Sequence, residues 1–281
     1  GFPANDRRTG VRRTGAFGNA VQYEYDKREN VTAVIYPDGK RVDYGYDRSG
    51  RLTSVEDWLG NVTRFTYNDA GKLVETEYPN GFRTVARYDK SGALAQLRNL
   101  DASDDVVTAN TVTRDDKGHI AAISTENPVQ PDTAHIAAGE FTVNELNQLA
   151  GGDAVSAVYD KTGNVTGCSC AGREFTFEYD GWNRLVRFQV ADTDEFEYGY
   201  DAEGKRIEVK HNGRTRRYVI DTVLGMQKPL AVTDTENNIL RYNVWTPTGL
   251  LYRIGKEGTI QIYLYNHRGD TSAVVDGNGD V

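Results

Sequence analysis

Sulfur is scarce in this chain: two cysteines and one methionine in 281 residues. Two cysteines cannot supply a disulfide framework for a chain of this length, and they do not fix a redox compartment. Long apolar runs are missing too, and none would span a bilayer. A basic excess is lacking. Thirty-three Lys and Arg stand against 41 Asp and Glu, for a net charge of −8. A nucleic-acid scaffold would need a basic face, so no nucleic acid is expected as partner. The Arg-rich start (Arg7, Arg8, Arg12, Arg13) is a local exception that reads as a solvated strand edge. No phosphate loop, nucleotide fingerprint or local Ser/His/Asp signature is present, and His119, His135, His211 and His267 show no metal-ligand spacing. The residues therefore point to no catalytic residue, no cofactor and no metal. No signal peptide is legible in a chain that starts at Gly1.

What the chain does have is tyrosine, 17 residues of it, together with 29 glycines. They are not scattered. Tyr25-Asp26, Tyr46-Asp47, Tyr67-Asn68 and Tyr88-Asp89 recur at a constant interval of 21 residues, and the beat resumes at Tyr159-Asp160, Tyr179-Asp180 and Tyr200-Asp201. A fixed period of this size marks a repeat architecture, each unit one supersecondary element. Glycine follows most of these pairs, at Gly50, Gly71, Gly92, Gly163 and Gly204.

One unit shows the grammar. Val42, Tyr44 and Tyr46 alternate with Arg41, Asp43 and Gly45, the period-two pattern of a half-buried strand. Asp47 to Gly50 is a turn, with Asp bonding its own backbone and Gly accepting positive φ. Arg51 to Glu56 is the returning strand. Pro37-Asp38-Gly39, Leu59-Gly60-Asn61 and Pro79-Asn80-Gly81 turn the chain at the far side. The fold class expected is all-β, a long antiparallel meander of on the order of 25 strands about 4.8 Å apart. Open twisted sheets rarely exceed about ten strands without curling or splitting, so the expectation is one uninterrupted ladder, curved or spiralling. The alternating Tyr, Phe, Val and Leu set should line its enclosed face. A single hairpin is marginal alone, so stacking on neighbours must supply the missing contacts.

Other motifs have plainer readings. The Asp of each pair reads as a turn residue, because catalysis needs one constellation and not a row of copies. Cys168-Ser169-Cys170 reads as a hairpin tip with two incidental thiols, and a tip disulfide is the second choice. Asp276-Gly277-Asn278-Gly279-Asp280 resembles the opening of a calcium loop but lacks the sixth-position Gly and the bidentate Glu, so a hairpin turn is expected. Arg268-Gly269-Asp270 spells an integrin-binding tripeptide at a length where chance matches are common. Asn30, Asn61 and Asn164 each open a glycosylation sequon at one turn-to-strand step, where Asn would be suited to left-handed φ. Asn127 to Pro131 reads as an exposed loop.

The unit Tyr44-Gly-Tyr46-Asp47-Arg-Ser-Gly50-Arg51-Leu52-Thr53 resembles the YD repeat of the RHS (rearrangement hotspot) family. Matches recur at Phe177-Glu-Tyr179-Asp180-Gly-Trp-Asn183-Arg184-Leu185 and at Tyr198-Gly-Tyr200-Asp201-Ala-Glu-Gly204-Lys205-Arg206. The segment from Tyr263 to Gly279 is similar to the approach to the RHS-associated core. The resemblance covers nearly the whole chain. It implies one continuous array: regular repeats over 1–98, irregular repeats with loops over 99–150, regular repeats over 151–215, and a truncated approach to the core over 216–281. Proteins of this family form hollow β-sheet shells, in bacteria often around a C-terminal toxin, with relatives in insecticidal toxin complexes, wall-associated proteins and teneurins. The resemblance thus implies a non-catalytic, secreted or cell-surface shell segment whose partners are the rest of a parent shell and a toxin cargo. The family's Asp-Pro-x-Gly segment, where some members cleave themselves, would lie past Val281, so no autoproteolytic residue carries over and a partial chain is expected. The alternative is an adhesion or carbohydrate-binding module using exposed aromatics such as Trp58, Trp182 and Trp245. A hydrolase with paired carboxylates ranks last, since no acid stands apart from the repeat.

Overall fold

Period-two patterning produces strands throughout. The computed structural model describes residues 8–127, 139–152, 155–191, 193–221 and 228–281. Among these residues lie 25 strands and one 3-10 turn, Ala16–Gly18, and no helix is long and apolar enough to cross a membrane. Every registered pair is antiparallel and joins consecutive strands. The strands form two open sheets of 11 and 14, each in strict sequence order. The single ladder expected from the repeat is therefore two. The first sheet ends at the strand Ile120–Glu126 and the second begins at Phe141–Val143, where the Tyr-Asp beat is weakest. Most of the loop expected at 127–131 lies outside the described residues, as do His135 and residues 1–7 of the Arg-rich start.

Each unit carries the same irregularity at the same place. The register slips by one residue between Gly45 and Tyr46, and likewise before Tyr25, Tyr67, Tyr88, Tyr159, Tyr179, Tyr200 and Tyr265. Tyr46 faces Leu52 while Gly45 faces Ser54, so Thr53 is the extra residue. A bulge of this kind bends its strand and raises the local twist. Each of these hairpins therefore carries one site of added bend and twist at the same place.

The chain divides into two compact units, 1–130 with 220–231 and 239–281, and 131–219 with 232–238. The first unit has a two-layer core. Tyr23, Val34, Val42, Tyr44, Val55 and Phe65 from one layer and Leu230, Val244, Tyr252, Ile254, Ile262 and Leu264 from the other are buried. Tyr36, Trp58 and Tyr242 meet edge to face, with centroids 4.6 to 5.8 Å apart, a favoured aromatic geometry. Three tyrosine hydroxyls bond across the layers. Tyr36 Oη donates to the Asn243 carbonyl (2.9 Å), Tyr44 Oη to the Trp245 carbonyl (3.1 Å), and Tyr23 Oη to Asp221 (2.6 Å). A buried hydroxyl without a partner would be costly, and these partners fix how the layers register.

The second unit is built differently. Of its described residues between 139 and 218, none is buried. One face is charged, with Arg187 beside Glu178 and Glu195, Lys210 on Glu197 (2.7 Å) and Arg217 on Glu208 (2.8 Å). The other face carries Phe175, Phe177, Phe188, Phe196 and Tyr198 in one contiguous cluster of rings.

Candidate functional site, the aspartate turns and the tyrosine ladder

The turn after each Tyr-Asp pair is closed twice. At Asp47 the backbone N–H donates to the Arg51 carbonyl (2.9 Å), and Gly50 N–H returns to the Asp47 carbonyl (3.0 Å). One carboxylate oxygen of Asp47 then accepts the N–H groups of Ser49 (2.8 Å) and Arg51 (2.9 Å). Asp26, Asp89, Asp160, Asp180 and Asp201 repeat this pattern residue for residue. Asp276 does the same with Asn278 and Asp280, and Asn266 with Arg268 and Asp270. The calcium-like and integrin-like strings are thus ordinary members of the turn series. The fourth turn residue is left-handed, with φ +79° at Gly50, a conformation that costs a residue with a Cβ.

The second carboxylate oxygen has its own use. In the three sequon units, Asn30, Asn61 and Asn164 donate their side-chain N–H to Asp26, Asp57 and Asp160 (2.9 to 3.0 Å). The left-handed residues are the ones before them, Glu29, Gly60 and Gly163, so backbone tolerance is not why Asn stands there. Its amide locks the turn. Where the same position is Arg, as at Arg51 and Arg184, the guanidinium binds the Asp instead (2.6 and 2.7 Å). These donors hold the carboxyls down. The Asn164 amide and then the Thr162 hydroxyl bring Asp160 to about 2, and Asp47 is lowered chiefly by the Arg51 backbone N–H.

The repeat tyrosines do something the sequence did not announce. Tyr46, Tyr67, Tyr88, Tyr200 and Tyr265 each donate their hydroxyl to the backbone carbonyl 15 residues earlier, at Val31, Leu52, Leu73, Leu185 and Leu250 (2.7 to 3.0 Å). The cause lies in the register. Strands Leu52–Asp57 and Val62–Tyr67 pair only from Ser54–Arg64 to Glu56–Val62. The Leu52 carbonyl lies past the end of that ladder, and Tyr67 supplies the missing donor. Burial pushes the Tyr46 phenol up to about 12, so the donor proton is kept. A cation from the previous turn covers the ring: Arg51 over Tyr67, Lys72 over Tyr88, Arg184 over Tyr200, at 4.7 to 5.9 Å. The repeat tyrosines are accordingly half-buried, and the fully covered aromatics stand two residues earlier, at Tyr23, Tyr44 and Phe65. Tyr25, Tyr159 and Tyr179 occupy the same place beside a bulge. Gly71, Gly92, Gly163 and Gly204 occupy the left-handed turn position.

Two side-chain groups sit elsewhere than expected. Cys168 and Cys170 are free thiols within the strand Val165–Cys170, not at the tip, which is Ala171-Gly172. Alternation puts both on one sheet face with a residue between, a geometry that does not bring their sulfurs together. Of the tryptophans, Trp58 is held in the aromatic core of the first unit and Trp245 donates to the Pro229 carbonyl (2.8 Å) under Lys228. Trp182 alone of the three is exposed, with Arg184 on its ring. Among the described residues no group of three or more His, Cys, Asp and Glu could hold a metal ion.

A stack of hairpins whose turns are closed by Asp or Asn side chains, with five of the repeat tyrosines tied to the unit before, defines a β-repeat protein. The comparisons place it further. Residues 2–41 and 46–85 match the family model described as RHS Repeat. The RHS Repeat model thus matches twice, both times within the first 85 residues. It is 30% identical over 138 residues to the tRNA3(Ser)-specific nuclease WapA of Bacillus spizizenii and 29% identical over 138 residues to the tRNA nuclease WapA of Bacillus subtilis, covering 48% of this chain and 6% of each relative. In fold it is similar to the Photorhabdus luminescens Tc holotoxin pore, with TM-score 0.59 at 12% identity over 94% of this chain and 17% of that one. The TcdB2-TccC3-Cdc42 crystal structure gives TM-score 0.59 at 12% identity, covering 93% of this chain and 17% of that chain. The chain therefore spans a small fraction of every relative named here.

Proposed function

We propose that this chain is a structural wall: a run of RHS repeats that, with further repeats of a parent polypeptide, surrounds a protein cargo of the toxin class and performs no chemistry itself. The observation that carries the reading is the ladder of tyrosine hydroxyls to carbonyls 15 residues back. It commits the conspicuous side chains of the repeat to holding neighbours together. The turn carboxylates are likewise saturated by N–H donors, which leaves them poor general bases. The names of the relatives agree in kind. The solved neighbours include Tc toxin assemblies, and the curated relatives are nucleases of which this chain matches 6% of the length. Secretion or surface display follows from the same reading.

The test is cargo protection. The parent polypeptide, and a version with Tyr46, Tyr67 and Tyr88 all changed to Phe, would be treated with protease under native conditions. A cargo segment resistant in the parent and digested in the variant supports the wall. Equal digestion of the cargo in both would sink it. A surface-binding role narrows to Trp182, and loss of cell or glycan binding in Trp182→Ala, with the fold intact, would favour that reading instead.

A further inference from the structure

Three Asn-Gly pairs occur in the chain, at Asn80-Gly81, Asn212-Gly213 and Asn278-Gly279. In such a pair the glycine nitrogen can attack the asparagine side-chain carbonyl, because no Cβ stands in the way of a close approach. The three pairs are not alike in the fold. The Gly81 N–H donates to the Tyr78 carbonyl (3.0 Å) and the Gly279 N–H to the Asp276 carbonyl (3.2 Å), so both nitrogens are engaged in turn bonds. Among the described residues nothing accepts the Gly213 N–H. The turn type is the reason. Asn212 and Gly213 are the two tip residues between the paired His211 and Arg214, with φ +46° and +80°, a two-residue hairpin loop whose second N–H takes no part in the ladder. The Asn212 side chain is held by the neighbouring hairpin. Its Oδ1 accepts the Glu195 N–H (2.8 Å), and its Nδ2 donates to Asp194 Oδ1 (3.1 Å) and reaches the Thr193 carbonyl (3.5 Å). His211 Nε2 lies 2.7 Å from the same Asp194 oxygen. The parts of an acyl transfer are thus assembled at one tip. The N–H on Oδ1 polarises the carbonyl and stabilises an oxyanion formed there. The carboxylate and imidazole beside Nδ2 can relay a proton to it.

We propose that Asn212-Gly213 is a self-modifying site that loses ammonia in the folded chain. The Gly213 nitrogen bonds to Asn212 Cγ and gives up its proton. The Cγ–Nδ2 bond breaks, and the departing amide nitrogen takes that proton and leaves as ammonia, with a five-membered imide left behind. One water molecule then opens the imide at either carbonyl and gives aspartate or isoaspartate at position 212. Nothing is oxidised or reduced. Either product unfastens the joint between two hairpins. Aspartate sets a second carboxylate where an amide had donated to Asp194. Isoaspartate adds one carbon to the main chain inside a tip closed by the His211–Arg214 pair. The strands Arg206–His211 and Arg214–Ile220 then lose their side-chain tie to the turn at 193–195. Apart from water the reaction is intramolecular, so it does not depend on what the parent polypeptide lays over this sheet.

The full 281-residue chain would be incubated in neutral buffer, sampled over time and mapped by peptide mass spectrometry. A parallel incubation in denaturant supplies the rates that sequence alone dictates. In the folded chain Asn212 should convert at least about tenfold faster than Asn80 or Asn278, a modest share of what positioned acid–base groups supply. In denaturant the three rates should converge. Asp194→Ala should slow conversion at Asn212 and leave the rates at Asn80 and Asn278 as they were. Should that variant fail to fold, the ranking in the wild type carries the test. An Asn212 that stays intact in the folded chain, or converts no faster than the other two, overturns the proposal. So does an unchanged or faster rate in folded Asp194→Ala, which would show that the anchored amide is protected and not assisted.

Discussion

At the scale of single residues, two aromatic positions of one unit have different jobs and should respond differently to substitution. Phe65 is buried among apolar side chains, so Phe65→Ala removes transfer energy and leaves a cavity, and about 3–5 kcal/mol of stability should go. Tyr67 is half-buried and its distinctive contribution is one hydrogen bond to Leu52, so Tyr67→Phe should cost about 0.5–1.5 kcal/mol. Chemical denaturation of the two variants checks the order. The turn carboxylates yield a sharper test. Asn68, Asn144 and Asn266 already accept turn N–H groups with a side-chain carbonyl. Asp160→Asn should therefore keep most of the turn, whereas Asp160→Ala should lower the melting temperature. Equal losses in the two variants would show that charge, and not the acceptor, holds the turn.

At the scale of the element, the hairpin depends on one backbone conformation and one slipped register. Gly50→Ala places a Cβ at φ +79°, where the penalty for an L residue is about 1–2 kcal/mol, although nothing but the Asn30 amide comes within contact of the new atom. Thermal melting should show the loss without any change of spectrum. Much of the hairpin could be read from the sequence because its determinants are local: alternation, Asp, Gly, and the return strand all lie within about ten residues. The bulge could not, since Gly45 and Tyr46 give no sign that Thr53 will be skipped. Nor could the Asn of the sequon, whose amide reaches back four residues to the turn carboxylate, although the recurring spacing Asp26–Asn30, Asp57–Asn61 and Asp160–Asn164 is a signal that could have revealed it. The covering layer was out of reach for another reason. Tyr36 and Asn243 are 207 residues apart, and strand alternation says which face is apolar without saying what will lie on it.

At the scale of the whole molecule, the repeated turns make stability a function of acidity. A carboxyl whose folded pKa lies below its unfolded value of 3.8 contributes stability that is fully present above that value. The contribution fades as pH falls through the folded pKa, which for Asp160 is about 2. Asp47, Asp89, Asp115, Asp180 and Asp276 are lowered in the same direction, so their contributions too are present above 3.8 and fade as the pH falls below it. Melting temperatures should hold steady from neutrality to about pH 4 and then drop steeply. Replacing several of these residues with Asn should flatten that drop, and a curve of unchanged steepness would show that the turns are not its source.

The bond from each tyrosine to the carbonyl 15 positions back has a bearing on how such chains can change length. It reaches only into the preceding unit, and the cation on each ring comes from that unit as well. Excising one whole period from the regular stretch hands every tyrosine a new but equivalent acceptor, while excising any other number of residues strands a hydroxyl opposite the wrong atom. Length in this chain is therefore a quantity that can be altered only in whole steps, much as a zip can be shortened tooth by tooth and never by half a tooth.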